Sequence, residues 1–232
     1  MVWCSSSSEK CTSQGLSNAP LGMLCRLGSA CAVQRLKAVS PRYIFEEEEH
    51  QLWVKGIGKT TLIQKTVVVL KSHGYCIHGF YTEEVRAGGR RVGFDVVTLS
   101  GKRGSLSRIS AGIPKEKCKY MVGQYAVDLI SFEQLALPVL TDVAKEKQKS
   151  ICIIDEIGKM ELFSQSFIHA VRKTLDCDTA FIFGTIPATK GKPLLLVEEI
   201  KNRADVRIFN ITRENRGVIM QEIVTAIQEC CK

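Results

Sequence analysis

At 232 residues the chain is long enough for one domain with an appendage, and its 45% hydrophobic and 24% charged content is that of a globular protein. No apolar run approaches the ~18 residues that a membrane span requires, which argues against a membrane protein. The formal charge of +8 suits an anionic partner such as a nucleotide or a nucleic acid, and residues 1–52 hold five Lys/Arg and five Asp/Glu, so the excess falls in residues 53–232.

Residues 1–52 are rich in Ser and Cys, carry one acidic residue before Glu46 and show no clear period. They read as a disordered or loosely helical extension; a mitochondrial targeting peptide, also poor in acids, is the other reading. Glu46 to Glu49 form an acidic run expected to stay in solvent. From Gly56 the pattern becomes regular. Residues 59–73 predict a helix with Leu62, Ile63, Thr66, Val67 and Leu70 near one face, ended by Gly74. Ile77–Thr82 predicts a strand, and the RAGG turn at 86–89 leads into a second strand over 91–100. A short strand at 125–129 and a helix over 131–147 follow, then the nearly continuous apolar run 150–156, as expected of a parallel strand covered on both faces. Helices near 164–175, 194–203 and 217–229 alternate with strands at 179–186 and 206–212. Such alternation predicts βαβ units: an α/β fold with a mostly parallel sheet flanked by helices, plus an antiparallel hairpin addition between about 77 and 110.

The ten cysteines form no CxxC pair and no zinc-spaced Cys/His cluster. They predict free thiols in a reducing, cytoplasmic compartment, with Cys152 packed as a small buried hydrophobe.

Gly56-Ile57-Gly58-Lys59-Thr60-Thr61 carries the second half of a GxxxxGK[ST] phosphate loop. Such a loop turns backbone N–H groups toward phosphate oxygens, with Lys59 for the β- and γ-phosphates and the Thr60 hydroxyl for Mg²⁺. The helix that starts there adds its N-terminal dipole to the same anion site. The motif's first glycine should stand at position 53, where this chain has Trp53, and the residues before it are the acidic run and His50-Gln51. Buried unpaired carboxylates are costly, so this run is not expected to form a central strand. The nearest apolar triplet, Tyr43-Ile44-Phe45, stands about eight residues too early. The first strand of the sheet is therefore expected to be missing or replaced.

Ile151-Cys152-Ile153-Ile154-Asp155-Glu156 has the form of an apolar strand ending in an acidic pair. Strand carboxyl ends line the ligand crevice of open α/β sheets. Asp155 is the candidate Mg²⁺ residue with Thr60, and Glu156 the candidate to orient or deprotonate an attacking water, with Lys59 beside it.

The strings GIGKTTLIQK, GFYTEEVRAGGRRVGFDVVTLSG, VGQYAVDL, SFEQLALPVL, IDEIGKMELFS, GTIP, KGKPLLLVEEI and NITRENR closely resemble the cancer-related nucleoside-triphosphatase family of small P-loop NTPases. The resemblance runs from about Gly56 to the C-terminus, giving residues 53–232 as the domain and 1–52 as a segment without counterpart. It implies a RecA-like or kinase-like α/β domain, Mg²⁺ dependence and slow hydrolysis of several NTPs (ATP, GTP, CTP, UTP, TTP) with little base preference. A monomer that binds neither membrane nor nucleic acid is expected. The family's phosphate loop has a glycine where this chain has Trp53, and two prolines where it has Val54 and Lys55. Asn210, Thr212 and Arg216, at and after the last strand, are candidates for base or ribose contact, with helix capping by Thr212 or Asn215 as the alternative. Arg86, Arg90 and Arg91 at the hairpin are candidates for an arginine directed at the γ-phosphate or for a solvated turn. Lys159 and Glu161 are candidate ion-pair partners. The rival functions are a nucleotide-binding pseudo-enzyme, disabled by the altered loop, and a nucleotide kinase.

Overall fold

The computed structural model describes residues 42–47, 58–110, 118–145, 149–187, 192–212, 214–215 and 217–230. Nine strands form one sheet: β1 (Arg42–Glu47), β2 (Ile77–Ala87), β3 (Arg90–Thr98), β4 (Arg103–Ile109), β5 (Met121–Val122), β6 (Tyr125–Val127), β7 (Ser150–Ile154), β8 (Ala180–Ile186) and β9 (Val206–Ile211). The helices are α1 (Lys59–Ser72), α2 (Leu129–Val143), α3 (Gln165–Leu175), α4 (Leu195–Lys201) and α5 (Ile219–Cys230). The strand order is β5-β6-β4-β3-β2-β7-β8-β1-β9. The half from β2 to β9 is parallel throughout, and the half from β2 to β5 is antiparallel. The expected hairpin addition is thus an arm of several strands. It contains β4 and β5, which the sequence pattern did not resolve.

Two cores sit on opposite faces of the sheet. On one, Phe80, Val96, Leu106, Cys152, Ile154 and Ile182 pack against Phe132, Ala136 and Leu140 of α2, Phe167 and Val171 of α3, and Val197 and Ile200 of α4. Phe132 lies edge-to-face with Phe80 and Phe167, ring centres 6.0 Å and 5.0 Å apart. On the other face Ile151, Ile153, Phe181 and Phe183 meet Leu62, Ile63, Val67 and Leu70 of α1 and Ile223 and Ile227 of α5. β7 and β8 are buried at every position, which is why their sequences run apolar without alternation. Cys152, inside β7, is fully buried as expected, and burial pushes its thiol up to about 12. α2 is started by Asp128, whose carboxylate accepts the Ser131 N–H at 3.0 Å, and α3 by Ser164, which accepts the Phe167 N–H at 2.9 Å.

The first strand, expected to be missing or replaced, is a replacement drawn from upstream. Arg42–Glu47, inside the segment read as an extension, fills the place between β8 and β9 and runs parallel to both. The Tyr-Ile-Phe triplet supplies the strand formers, and Ile44 is fully buried. Glu46 and Glu47 do join the strand, against the expectation for an acidic run. They occupy its last two positions, opposite Ile186 at the end of β8 and Ile211 at the end of β9, so the acids reach the sheet only at its carboxyl rim. Arg42, at the other end, is 1% exposed; its guanidinium meets the Asp205 carboxylate at 2.5 Å and its N–H bonds the Asp205 carbonyl at 3.0 Å.

Candidate active site

The helix α1 opens at Lys59 directly after Gly58, which takes a left-handed conformation with φ 98° and no side-chain cap. First-turn N–H groups of a helix have no intrahelical acceptor, so this terminus is built to face an anion. The buried apolar face of α1 is the one its spacing predicts: Leu62, Ile63, Thr66, Val67 and Leu70. That face rests on β7 and β8, which brings the start of the helix to the carboxyl ends of these strands.

Five side chains from three distant parts of the chain meet there. Lys59 Nζ donates to Glu156 Oε2 at 2.8 Å and to the Ile186 carbonyl at 3.4 Å. The Thr60 hydroxyl donates to Asp155 Oδ2 at 2.7 Å. Asp155 lies just beyond β7, is 1% exposed, and its second oxygen accepts the Thr185 hydroxyl at 2.5 Å. Burial raises the Asp155 carboxyl above the ordinary carboxylate range, against the opposing pull of the Thr185 and Thr60 hydroxyls. Glu156 retains contact with solvent, while Lys59 is mostly covered. Among the described residues no group of three or more His, Cys, Asp or Glu side chains could hold a metal unaided. A hydroxyl and a single carboxylate form an all-oxygen partial donor set, which fits a hard cation that also takes phosphate oxygens and water.

The other candidates divide. Thr61 is exposed on α1. Gly56, Ile57, Trp53 and Arg216 lie outside the described residues. Asn210 is exposed near the carboxyl end of β9, three strands from the acidic pair, and its carbonyl accepts the Asn215 side-chain amide at 2.8 Å. Thr212 and Asn215 cap one another: the Thr212 N–H donates to Asn215 Oδ1 at 2.8 Å and the Asn215 N–H to the Thr212 hydroxyl at 3.2 Å. At the hairpin, Arg86 and Arg91 are both paired with Glu84, and Arg86 also bonds the Gly89 carbonyl, so these two arginines brace the turn. Lys159 is exposed and does not pair with Glu161. Glu161 is instead buried at 4% exposure in a 3-10 turn and accepts the Gly158 N–H at 3.1 Å. Burial, with the charge of Glu156 next, pushes its carboxyl up to about 8.

A family model described as NTPase matches residues 54–224. The chain belongs to this nucleoside-triphosphatase family, a family of hydrolases. It is 61% identical over 179 residues to the human cancer-related nucleoside-triphosphatase, covering 76% of this chain and 94% of the relative. To the nucleoside-triphosphatase THEP1 of Thermotoga maritima it is 40% identical over 173 residues, covering 75% and 91%. The solution structure of the human nucleoside triphosphatase superposes with a TM-score of 0.69 at 56% identity, over 81% of this chain and 98% of that one. The crystal structure of THEP1 from Aquifex aeolicus does so with 0.65 at 35% identity, over the same shares. The α/β fold expected from the strand–helix alternation is the fold of this NTPase family.

Two residues of the site escaped the sequence reading. Thr185 sits in GTIP at the end of β8, and only the pairing of β8 beside β7 aims its hydroxyl at Asp155. The burial of Glu161, read from the sequence as an ion-pair candidate, also escaped, because nothing in a local pattern tells a buried carboxyl in a tight turn from a solvated one.

Proposed function

We propose that this chain is a Mg²⁺-dependent nucleoside-triphosphatase that hydrolyses ATP, GTP and other NTPs to the diphosphate and phosphate with low base specificity. The observation that carries the reading is the convergence of Lys59 on Glu156 and of Thr60 on Asp155 at the mouth of α1. Thr60 and Asp155 would hold Mg²⁺, which when bound neutralises charge on the phosphate oxygens. Lys59, paired with Glu156 in this structure, would exchange that carboxylate for the β- and γ-phosphate oxygens. The exchange frees Glu156 to orient a water and accept its proton as the water oxygen bonds to the γ-phosphorus and the bond to the β–γ bridging oxygen breaks. Thr185 keeps the Asp155 carboxylate turned toward Thr60 through its hydroxyl. The low base specificity is supported by the mutual capping of Thr212 and Asn215, in which each side-chain oxygen is occupied by the other's backbone N–H.

The test is phosphate release from a panel of NTPs by the purified chain, with and without Mg²⁺, beside Lys59→Ala. Turnover that requires Mg²⁺, varies little with the base and disappears in the variant is the expected result. Nucleotide binding without any Lys59-dependent turnover would instead make the chain a pseudo-enzyme with a working phosphate site.

A further inference from the structure

Glu161 has no part in the chemistry just described, yet it is buried against the segment that carries Glu156. The segment Asp155-Glu156-Ile157-Gly158 leaves β7 in a turn fixed at two points. The Ile157 N–H bonds the Thr185 carbonyl at 2.9 Å, and the Gly158 N–H bonds Glu161 Oε2 at 3.1 Å. The second bond comes from the 3-10 turn Glu161–Phe163, itself tied down where the Ser164 N–H bonds the Glu161 carbonyl at 3.0 Å and the Leu162 N–H bonds the Gly158 carbonyl at 3.0 Å. Glu156 and Glu161 crowd the same spot. A Cβ added to Gly158 would lie 2.6 Å from Glu156 Oε1 and 3.0 Å from Glu161 Oε2. A side chain at 158 would push the Glu156 carboxylate away from this point.

We propose that Glu161 is a positioning residue for hydrolysis: by holding the Gly158 N–H from beneath the turn, it fixes the backbone from which Glu156 leaves Lys59 and meets the attacking water. The proposal rests on the triphosphatase reading of the site. Glu161 touches neither the lysine nor the threonine that would meet phosphate, so its loss acts on the chemical step and spares nucleotide binding. Its carboxyl is neutral near pH 7, so glutamine, which offers the same acceptor oxygen, stands in for it.

The experiment compares wild type, Glu161→Ala, Glu161→Gln, Gly158→Ala and Lys59→Ala. It reads kcat normalised to the folded fraction, and the dissociation constant for a Mg²⁺ complex of a non-hydrolysable NTP analogue. Glu161→Ala is expected to lower kcat at least 10-fold while analogue affinity stays within 2-fold, and Glu161→Gln to recover most of the lost kcat. Gly158→Ala, which displaces Glu156 by an independent route, is expected to match Glu161→Ala in the same split. Wild-type kcat in folded Glu161→Ala would overturn the proposal and leave the triphosphatase reading standing. So would a loss of analogue affinity in place of kcat, or a failure of glutamine to restore it. Wild-type turnover that survives in Lys59→Ala, or is absent altogether, would remove the triphosphatase reading and the positioning role with it.

Discussion

Replacing Glu161 with glutamine changes how stability depends on pH, and burial sets both the sign and the size. In the fold the carboxyl is 4% exposed and titrates at about 8. In the unfolded chain an exposed glutamate titrates at about 4.3. Between those values the folded chain keeps a proton that the unfolded chain releases, so the free energy of unfolding falls by about 1.4 kcal/mol per pH unit as pH rises. The contribution is whole below the unfolded value and lost through the folded one. Glu161→Gln carries nothing that titrates there. From pH 5 to pH 7 the wild type should therefore lose about 3 kcal/mol of stability relative to the variant. Urea unfolding of both chains at pH 5, 6 and 7 gives the difference directly. Asp155, whose carboxyl is also raised by burial, is present in both chains and largely cancels. Parallel stability curves would mean that Glu161 is ionised inside the fold, and the argument from burial would be refuted.

Three further outcomes test the packing that places the site. Gly79→Ala should cost more than about 3 kcal/mol in urea unfolding, because φ is +131° there and a Cβ would lie 2.2 Å from the Ile153 carbonyl oxygen, wedging β2 from β7. Asp205→Asn should cost about 3 kcal/mol at pH 7 by leaving the buried Arg42 guanidinium without its counter-charge. The Asp205 carboxyl is held below the ordinary range by Arg203 first and Arg42 with it, so wild type should lose this advantage as acid titrates the carboxylate, and the two chains' unfolding curves should converge. Phe132→Ala should cost about 3–5 kcal/mol by opening a cavity between Phe80 and Phe167, measured by the same unfolding midpoint.

Most of the parallel half was legible because its signals are local. The five buried positions of α1 follow from a 3.6-residue spacing, and β7 and β8 from apolar runs too short for helices. The meeting of the acidic pair with Lys59 and Thr60 was legible for another reason: a strand end and a helix start are brought to one rim of an open α/β sheet. What escaped depends on contacts distant in sequence. Glu46 and Glu47 look unfit for a central strand until their register puts them at its last two positions, at the carboxyl rim of the sheet. The arm from β3 to β6 includes pairings only two and three residues long, below what alternation can mark. Thr185 reaches Asp155 only because β8 lies beside β7.

The substituted segment before α1 raises a separate question: what holds Lys59 and Thr60 at the acidic pair. A phosphate loop is ordinarily seen as the exit of its strand, so that a changed strand and a lost first glycine should misplace the lysine. The contacts here give the helix its own anchor. Leu62, Ile63, Val67 and Leu70 are buried against Ile151, Ile153, Phe181 and Phe183 of the two neighbouring strands and against Ile223 and Ile227 of α5. Four large apolar side chains so buried stabilise the docked helix by several kcal/mol, at about 1.5–3 kcal/mol each before the cost of ordering. Both strands, and α5 as far as Val224, lie within the span matched by the NTPase family model. The pairing of Lys59 with Glu156 and of Thr60 with Asp155 is therefore secured from the C-terminal side, by residues downstream of Gly58. Lys59, Thr60, Asp155 and Glu156 thus keep their places through contacts that α1 makes downstream of Gly58.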